Sequence, residues 1–303
     1  MNKKLRRVGV LMGGPSSERD ISLKSGWAVY RALKEKGVAV VAIDVRANAK
    51  AQVRKADISC AFVALHGKFG EDGTIQKMLE SLEIPYTGSG VIASYLCLDK
   101  VASRRIFQHY YIPVPEFEVL HRRAKKSRQN ISLAFPVVLK PSNQGSSIGV
   151  TCVSKRAQFR KALDLAFEYD DTVIVEKYLP GREITVGVLD DTPLPVVEII
   201  PKEKFFNFQA KYEKGKTKYV VPAKLSTGQF KEAQRLGLLA HQVLGCRGFS
   251  RADIILSRGT PFVLEVNSIP GLTETSLLPM AAGAIGISFP NLCLKILHSA
   301  DKS

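Results

Sequence analysis

Residues 6–37 read RRVGVLMGGPSSERDISLKSGWAVYRALKEKG, and this stretch decides the fold class. A short run rich in Val and Leu leads into a Gly-Gly-Pro turn, and the apolar residues that follow recur at helical spacing until Gly37. The pattern predicts a strand, a loop and a helix, with Ser16 or Ser17 as the N-cap of the helix. Because the apolar run before the turn is too short for a secretory core, we interpret it as a strand and not as a signal peptide.

The alternation of strand and helix continues beyond this unit. Residues 38–45 (VAVVAIDV) and 60–67 (CAFVALHG) are further strand-like runs, and apolar residues from Ile75 to Leu82 recur at positions i, i+3, i+4 and i+7. Strands that alternate with helices form a parallel sheet, which predicts a small α/β domain. Ligands of such sheets bind at the carboxyl ends of the strands, where the loops GGPSSERD and HGKFGEDG lie.

The pattern changes after a long helical stretch at residues 91–111. The runs FPVVLKP and VTCV flank the loop SNQGSSIG and predict a hairpin, which a helix and the strand TVIVEKYL follow. From Glu183 onward the chain is rich in strands, with one helix at residues 228–244 and the strand pair ADIIL and PFVLEVN. The fold class is therefore α/β, with α+β character in the C-terminal half. We predict three modules, at residues 1–99, 100–180 and 181–303.

The composition is that of an ordinary globular protein. The chain has 303 residues, of which 45% are hydrophobic and 24% are charged, and this balance excludes disordered and collagen-like classes. Its apolar runs are shorter than the roughly 18 residues of a membrane span, so we expect no membrane segment. Five widely spaced cysteines without a CxxC pair predict reduced thiols and a cytoplasmic location.

A formal net charge of +16 raises the hypothesis of a nucleic-acid partner. The excess of Lys and Arg is concentrated at residues 3–7, 121–128 and 202–218. None of these segments has the interleaved aromatic residues of an RNA-binding sheet or the pattern of a DNA-reading helix. We therefore predict solvated basic loops and cationic groups for an anionic substrate, with no nucleic acid as partner.

Two acids and an amide near the C-terminus carry the strongest chemical signal. Asp253 lies in one apolar run, and Glu265 and Asn267 occupy positions i and i+2 of the next, so the latter two face the same side of a strand. If the two strands pair through the turn at residues 257–260, three oxygen donors converge. Such a set, without His or Cys, suits Mg²⁺, whereas the alternative is a salt bridge of one carboxylate. The cost of burying two acids without a cation favours the metal.

A second set of residues indicates phosphate chemistry, although the sequence contains neither GxxxxGK[ST] nor GxGxxG. Lys140 ends an apolar strand beside the loop SNQGSSIG, whose N–H groups and Ser146 and Ser147 hydroxyls are suited to closing over a triphosphate. A strand edge at residues 176–179 would offer backbone groups to an adenine ring. Glu183 follows a few residues later and is placed to hold ribose hydroxyls.

Eight segments together resemble the D-alanine:D-alanine ligases of the ATP-grasp superfamily, in the same order and with similar spacing. They are VLMGGPSSERDISLKSG, HGKFGEDGTIQKMLESLEIPYTGSG, LDK, FPVVLKPSNQGSSIGV, VEKYLPGREITV, KY, RADIIL and LEVNSIPGLTETSLLP. The resemblance implies the ATP-grasp fold, with a substrate domain at residues 1–99 and two ATP-grasp domains after it. It also implies ATP-dependent joining of two D-alanine molecules through an acyl phosphate, for peptidoglycan precursors.

The resemblance further implies a role for each matching residue. Groups that contact the first D-alanine are Glu18 and His66. Groups that stabilise the oxyanion of the tetrahedral intermediate are Arg251 and the N–H of Gly271. Groups that bind the carboxylate of the second D-alanine are Ser276 and Leu277. Groups that contact ATP are Lys100, Lys140, Glu176, Lys177, Leu179, Glu183 and Lys211. Ser146 and Tyr212 belong to a closing loop. Carriers of two Mg²⁺ ions, with Mn²⁺ as a substitute, are Asp253, Glu265 and Asn267.

The resemblance also implies a homodimer and a supporting monovalent cation. Two alternatives stay open at this point. One is a related ATP-grasp carboxylate–amine ligase or a D-alanine:D-lactate ligase, against which the set of Glu18, Tyr212 and Ser276 favours D-alanine. The other is a basic nucleic-acid-binding protein on a degenerate ligase fold, which would require lost catalytic groups. The loop after Tyr212 departs from the family because it is rich in lysine, with Lys218 where an acid is common.

Overall fold

The structure is a computed structural model, and it describes residues 7–124, 131–201 and 217–300. Within these ranges it contains three β-sheets, with helices packed against them. No helix in the described ranges is long and apolar enough to cross a membrane. The mixed α/β fold class predicted from the sequence is confirmed.

The first sheet is parallel and has the strand order β2-β1-β3. Its strands are β1 (Val8–Gly13), β2 (Val40–Val45) and β3 (Cys60–Val63), and its helices are α1 (Arg19–Glu35), α2 (Ala49–Ala56) and α3 (Thr74–Glu80). Every residue of β1 and β3 is buried, as expected for parallel strands that are covered on both faces. The predicted strand, loop and helix at the start of the chain are therefore correct.

The predicted N-cap of α1 is wrong. The N-cap position is occupied by Glu18, and its side chain makes no capping hydrogen bond. The Ser16 hydroxyl instead donates to the carbonyl of His66, at 2.6 Å, and accepts from the N–H of Glu18. Ser16 thus joins the loops after β1 and β3, because its hydroxyl donates to one loop and accepts from the other.

The helical stretch predicted at residues 91–111 is two helices, α4 (Val91–Leu98) and α5 (Lys100–His109). Asp99 separates them with an extended backbone, and its carboxylate accepts hydrogen bonds from the N–H groups of Val101 and Ala102. Asp99 thus ends α4 and caps the N-terminus of α5, and the two capping hydrogen bonds stabilise the start of the second helix. As a result, Lys100 stands at the first position of a helix.

The second sheet has the antiparallel strand order β4-β7-β5-β6. Its strands are β4 (Phe117–His121), β5 (Val137–Pro141), β6 (Thr151–Val153) and β7 (Thr172–Lys177), and α6 (Arg156–Tyr169) packs against them. The predicted hairpin of β5 and β6 is correct. The strand edge predicted at residues 176–179 is wrong in part, because Glu176 pairs with Phe117 on one side and with Val138 on the other.

Among the described residues the third sheet has six strands, in the order β11-β10-β8-β12-β13 with β9 beside β8. The strands are β8 (Arg182–Leu189), β9 (Thr192–Pro193), β10 (Val197–Pro201), β11 (Thr217–Val220), β12 (Phe249–Ser257) and β13 (Thr260–Asn267). The helices in this part are α7 (Thr227–Val243), α8 (Leu277–Gly283) and α9 (Phe289–Ser299). Ser226 caps α7 in a capping box with Gln229, which fixes where this helix begins.

One apolar core joins the two ends of the chain. Val10 and Phe62 of the first sheet lie in the same buried cluster as Phe249, Leu272 and Ile296. Helix α9 packs on α1, so the C-terminal helices cover one face of the N-terminal sheet. This packing brings the loops that follow β1 and β3 close to the loop that follows β13. The candidate site lies where these loops meet.

Candidate active site

The two acids and the amide singled out from the sequence converge on a β-hairpin. Strands β12 and β13 are antiparallel, with Asp253 opposite Glu265 and Arg251 opposite Asn267. The Asn267 Nδ2 atom lies 3.1 Å from Asp253 Oδ2. The turn that joins the strands is at the predicted position, which is why the period-two spacing puts the side chains of both strands together.

In the structure these carboxylates are paired with cationic side chains. Asp253 accepts two hydrogen bonds from Arg251, both at 2.8 Å, and one from Thr185 at 2.8 Å, in addition to the bond from Asn267. These donors occupy the lone-pair sites of the carboxylate, and the Thr185 hydroxyl shares its single proton with the carbonyl of Ala252, at 2.9 Å. Glu265 Oε2 lies 3.4 Å from the ammonium of Lys100. Within the described ranges, no group of three or more His, Cys, Asp or Glu side chains is arranged to hold a metal ion.

Lys100 connects the hairpin to the Gly/Ser-rich loop at residues 142–149. Its ammonium donates to the carbonyl of Gln144 at 2.6 Å, and its backbone N–H donates to the carbonyl of Ser142. The side chain of Lys100 is largely buried, at 9% exposure. The lysine therefore lies between that loop and Glu265, where its charge faces both.

Lys140 belongs to a buried cluster on the second sheet, together with Glu176 and Arg104. Glu176 Oε1 lies 2.5 Å from the Lys140 ammonium, and Glu176 Oε2 accepts from Arg104 at 2.6 Å. Burial alone would raise the pKa of Glu176, but Lys140 and Arg104 together hold this pKa below its ordinary value. The Glu176 side chain thus faces two cations and its backbone is paired in the sheet. Its predicted contact with ATP stays a prediction.

Arg104 is a component of this region that the motifs did not indicate. It lies on α5 four residues after Lys100, which places both side chains on one face of the helix. Its Nε also donates to the carbonyl of Leu264 on β13, at 2.9 Å. Helical spacing from Lys100 is the one signal in the sequence that could have found it.

Three further predicted nucleotide residues lie at the end of β7, on β8 or on the segment between these strands. Lys177 is the exposed last residue of β7, and its backbone N–H bonds to the carbonyl of Glu116. Leu179 follows the strand and is half-buried. Glu183 is half-buried on β8, opposite Ile199 and Ile255. The structure places these residues along the chain that joins the second sheet to the third.

The Gly/Ser-rich loop reaches across to the first sheet. The Ser146 hydroxyl donates to the carboxylate of Glu18, which is 8% exposed. A Cβ atom on Gly67 would lie 2.7 Å from Glu18 Oε2, and Gly67 also has a left-handed φ of +70°. Only glycine therefore allows this approach. Two predicted site residues, Glu18 and Ser146, are in direct contact.

His66 links the first sheet to the loop after β13. Its Nε2 atom shares a hydrogen bond of 3.0 Å with the Ser25 hydroxyl, and its Nδ1 lies 3.3 Å from Glu71. The Ser25 oxygen also accepts from the N–H of Leu272, at 3.4 Å. His66 is buried, so its ring orientation is set by these partners. Ser25 was not singled out from the sequence, because its partners are distant along the chain.

Gly271 and Ser276 are packed against each other in that loop. A Cβ atom on Gly271 would come within 3.1 Å of Ser276 Oγ, so space rather than backbone conformation calls for a glycine here. Ser276 Oγ accepts from the N–H of Thr273 at 3.0 Å, which holds the loop closed. Leu277 begins α8 and packs against the core cluster that spans both ends of the chain. Lys211 and Tyr212 lie outside the described residues.

Comparisons with known proteins agree with the resemblance seen in the motifs. A family model described as "D-ala D-ala ligase C-terminus" matches residues 106–298, and one described as "D-ala D-ala ligase N-terminus" matches residues 45–89. The D-alanine–D-alanine ligase of Geotalea uraniireducens is 43% identical to this chain over 98% of it and 96% of the relative. The corresponding ligase of Trichlorobacter lovleyi is 44% identical, over 98% of this chain and 96% of the relative.

Solved structures give the same result. The crystal structure of D-alanine–D-alanine ligase from Bacillus anthracis complexed with ATP has a TM-score of 0.86 and 34% identity, and the match covers 98% of each chain. A second crystal structure of the B. anthracis ligase has a TM-score of 0.88 and 35% identity, and the match covers 98% of this chain and 97% of the other. The chain belongs to the D-alanine–D-alanine ligase family.

Proposed function

We propose that this chain uses ATP to join two D-alanine molecules into D-alanyl-D-alanine, with ADP and phosphate as the other products. Family membership supports this proposal. The observation in the structure that carries it is the position of Lys100, whose ammonium lies 2.6 Å from the Gln144 carbonyl and 3.4 Å from Glu265. This lysine joins a loop suited to phosphates to a hairpin rich in carboxylates, which is the juxtaposition that phosphoryl transfer from ATP requires.

The nucleotide would bind between the second and third sheets. Lys100 and Lys140 would offset the charge of the phosphates. The Lys100 ammonium donates to the Gln144 carbonyl in the Gly/Ser-rich loop, and Lys140 lies on β5, the strand that precedes this loop. The residues that would contact the base, the ribose and the transferred phosphate are Glu176, Lys177, Leu179, Glu183 and Lys211. Lys140 is already paired with Glu176, so it is held in place before the nucleotide arrives.

Asp253, Glu265 and Asn267 would hold Mg²⁺, which supplies positive charge to the phosphates when bound. The donor set fits this ion, because two carboxylates and an amide lie on one hairpin and each can bind a cation through oxygen. The four hydrogen bonds on Asp253 mean that at least one donor must leave first. Mn²⁺ is expected to substitute for Mg²⁺, and a supporting monovalent cation stays a prediction.

Arg251 is the donor best placed to leave Asp253. In the reaction the carboxylate of the first D-alanine would take the γ-phosphoryl group, and the amino group of the second would attack the resulting acyl phosphate. Arg251 and the N–H of Gly271 would stabilise the oxyanion that this attack forms. Phosphate would then leave and the peptide bond would be complete. If the Arg251 guanidinium moves from the Asp253 carboxylate to the oxyanion, its positive charge is paired with a negative charge before and after the move.

The remaining residues would position the two amino acids. Glu18 would bind the ammonium of the first D-alanine, and its contact with Ser146 ties that site to the Gly/Ser-rich loop. His66 would lie beside the same substrate, held by Ser25 and Glu71. The carboxylate of the second D-alanine would bind at Ser276 and Leu277. Ser146 and Tyr212 would close the pocket and exclude water, because an exposed acyl phosphate hydrolyses.

Phosphate release from ATP tests this function directly. The purified chain is incubated with ATP and Mg²⁺ and with D-alanine, L-alanine, D-lactate, or D-alanine together with D-lactate, and the products are identified by mass. Release that depends on D-alanine and yields D-alanyl-D-alanine is the expected result. D-alanyl-D-lactate as the main product would move the chain to the D-lactate branch of the superfamily. The absence of release with any acceptor would contradict the proposal.

Two further properties implied by the family are part of the proposal. The chain is expected to form a homodimer, which light scattering on the purified protein would test by mass. It is also expected to work in the cytoplasm, where ATP is available and thiols stay reduced.

A further inference from the structure

Two cysteine thiols lie close together outside the candidate site. Cys97 is in the last turn of α4, and Cys246 lies in the turn between α7 and β12. They are separated by 149 positions in the sequence, yet their Sγ atoms are 3.3 Å apart. This is the distance of a hydrogen-bonded thiol pair, and the sulfurs would have to approach to about 2.05 Å to form a disulfide.

The two chain segments that carry these thiols are already joined by other contacts. The N–H of Arg247 donates to the Ser89 hydroxyl at 3.2 Å, and the Arg247 guanidinium donates to the carbonyl of Gly88 at 3.1 Å. The same guanidinium lies 5.6 Å from the centre of the Tyr86 ring. These contacts hold the turn that carries Cys246 against the part of the chain that precedes the helix carrying Cys97.

The two thiols have different environments. Cys97 is 6% exposed, whereas Cys246 is partly open to solvent. Hydrogen bonds with Cys97 and Ser89 lower the pKa of Cys246, against the opposing effect of partial desolvation. The hydrogen bond to Cys246 and burial raise the pKa of Cys97. Cys246 is thus the thiol that solvent, and with it an oxidant, reaches first.

We propose that Cys97 and Cys246 are a reversible oxidation site, which a peroxide converts to an intramolecular disulfide. The Cys246 thiolate attacks one oxygen of the peroxide and becomes a sulfenic acid, and the other oxygen leaves as hydroxide or alkoxide. The Cys97 sulfur then attacks the Cys246 sulfur. The hydroxyl group of the sulfenic acid leaves as water, together with the proton of the Cys97 thiol. Two electrons pass from the two sulfurs to the O–O bond, and a dithiol reductant reverses the change.

The disulfide would join parts of the chain that carry the candidate site. Cys97 is three residues before Lys100, and Cys246 is five residues before Arg251. The cross-link would close a loop of about 150 residues, and a loop of this size strongly restricts the unfolded chain. The oxidised protein is therefore expected to melt at a higher temperature than the reduced protein. This inference does not depend on the proposed function.

Thiol mapping on the full chain tests the proposal. The protein is treated with hydrogen peroxide, the remaining thiols are alkylated under denaturing conditions, and peptides are identified by mass before and after a dithiol reductant is added. The expected product links the Cys97 and Cys246 peptides, is monomeric and disappears on reduction. The melting temperature should rise on oxidation by several degrees in the wild-type chain and in C152S, whose missing thiol lies on β6. It should not rise in C97S or C246S.

Two results would overturn the proposal. One is full alkylation of both Cys97 and Cys246 after a peroxide dose that has oxidised the half-buried Cys152 of the same sample. The other is a disulfide that pairs either thiol with a different cysteine or with a second copy of the chain. Both measurements use the wild-type chain, so they remain decisive even if C97S or C246S folds poorly.

Discussion

Two clusters of cations and carboxylates lie on neighbouring sheets of this chain, and they differ in how far solvent reaches them. In the buried cluster, Glu176 is 4% exposed and its partner Arg104 is 1% exposed. In the open cluster, Asp253 is 19% exposed and Glu265 is 27% exposed. A carboxylate that is cut off from water must keep its cations, whereas one that water reaches can exchange them. The first cluster is therefore suited to hold structure and to orient Lys140 for the proposed nucleotide site, whereas the second is suited to exchange its cations for ligands.

The contacts of the buried cluster support a structural role. Arg104 bonds both to Glu176 on the second sheet and to the carbonyl of Leu264 on the third. The guanidinium thus fixes the two sheets relative to each other while it compensates the Glu176 charge. Lys140 shares the same carboxylate, so its ammonium is oriented by the buried pair.

The first prediction breaks the buried cluster. E176Q removes the anion that Lys140 and Arg104 share and leaves two cations, mostly buried, without the charge of Glu176. We expect the free energy of unfolding to fall by about 3–5 kcal/mol. Denaturant unfolding at pH 7 measures the change, with E232Q as the matched control. Glu232 pairs with Arg235 on the exposed face of α7, and its loss is expected to cost less than about 1 kcal/mol. Equal stabilities of the two variants would contradict a structural role for the buried cluster.

The second prediction addresses the open cluster. E265Q removes one anionic oxygen from the hairpin, with almost no change in shape. We expect ligase activity at limiting Mg²⁺ to fall by roughly 100-fold, which is about 2.7 kcal/mol in the transition state, while the stability changes by less than about 1 kcal/mol. The measurement is phosphate release dependent on D-alanine as Mg²⁺ is varied.

The matched control for this prediction is E274Q. Glu274 is exposed in the nearby loop after β13, so its replacement changes the net charge equally and should leave the Mg²⁺ dependence unaltered. Turnover by E265Q equal to that of the wild-type chain at limiting Mg²⁺ would contradict the metal assignment. A loss of stability as large as that of E176Q would contradict the distinction between the two clusters.

The open cluster could be predicted from the sequence, and the buried one could not. Asp253, Glu265 and Asn267 lie in two adjacent strands joined by a tight turn, so period-two spacing alone brings them together. Arg104, in contrast, meets Glu176 at a separation of 72 positions and Leu264 at a separation of 160. No local pattern encodes contacts of that range, because they depend on how the three sheets pack.

The same reason explains the errors in the fold. Apolar periodicity correctly predicted β1, α1 and the hairpin of β5 and β6, because each is set by neighbours in the sequence. The strand edge at β7 was wrong because β4, which lies more than 50 positions earlier, pairs along it. The break between α4 and α5 was missed because Asp99 acts as a cap, and an acid inside an apolar helical pattern does not by itself indicate one.

The third prediction sharpens the role of the buried cluster. R104K keeps the positive charge but loses the fork that reaches both Glu176 and the Leu264 carbonyl. We expect a loss of about 1–2 kcal/mol in the free energy of unfolding, which is less than for E176Q, because Glu176 remains compensated. R105K is the matched control, since Arg105 is exposed on the same helix, and it should change stability by less than about 0.5 kcal/mol. A loss in R104K no larger than that in R105K would show that charge alone holds the cluster.

The smallest expected effect concerns pH. The pKa of Glu176 is lowered in the folded chain, so its contribution to stability is complete above the pKa of an unfolded glutamate, about 4.3, and is lost as the pH falls through the folded pKa. A protonated Glu176 resembles Gln. The difference in unfolding free energy between the wild-type chain and E176Q should therefore stay constant from pH 7 to pH 5 and shrink below about pH 4. Denaturant unfolding of both chains across this range measures the difference, and other carboxylates such as Asp44 cancel because both chains carry them. A difference that persists unchanged to about pH 2 would mean that the stability of the buried cluster does not come from the charge of Glu176.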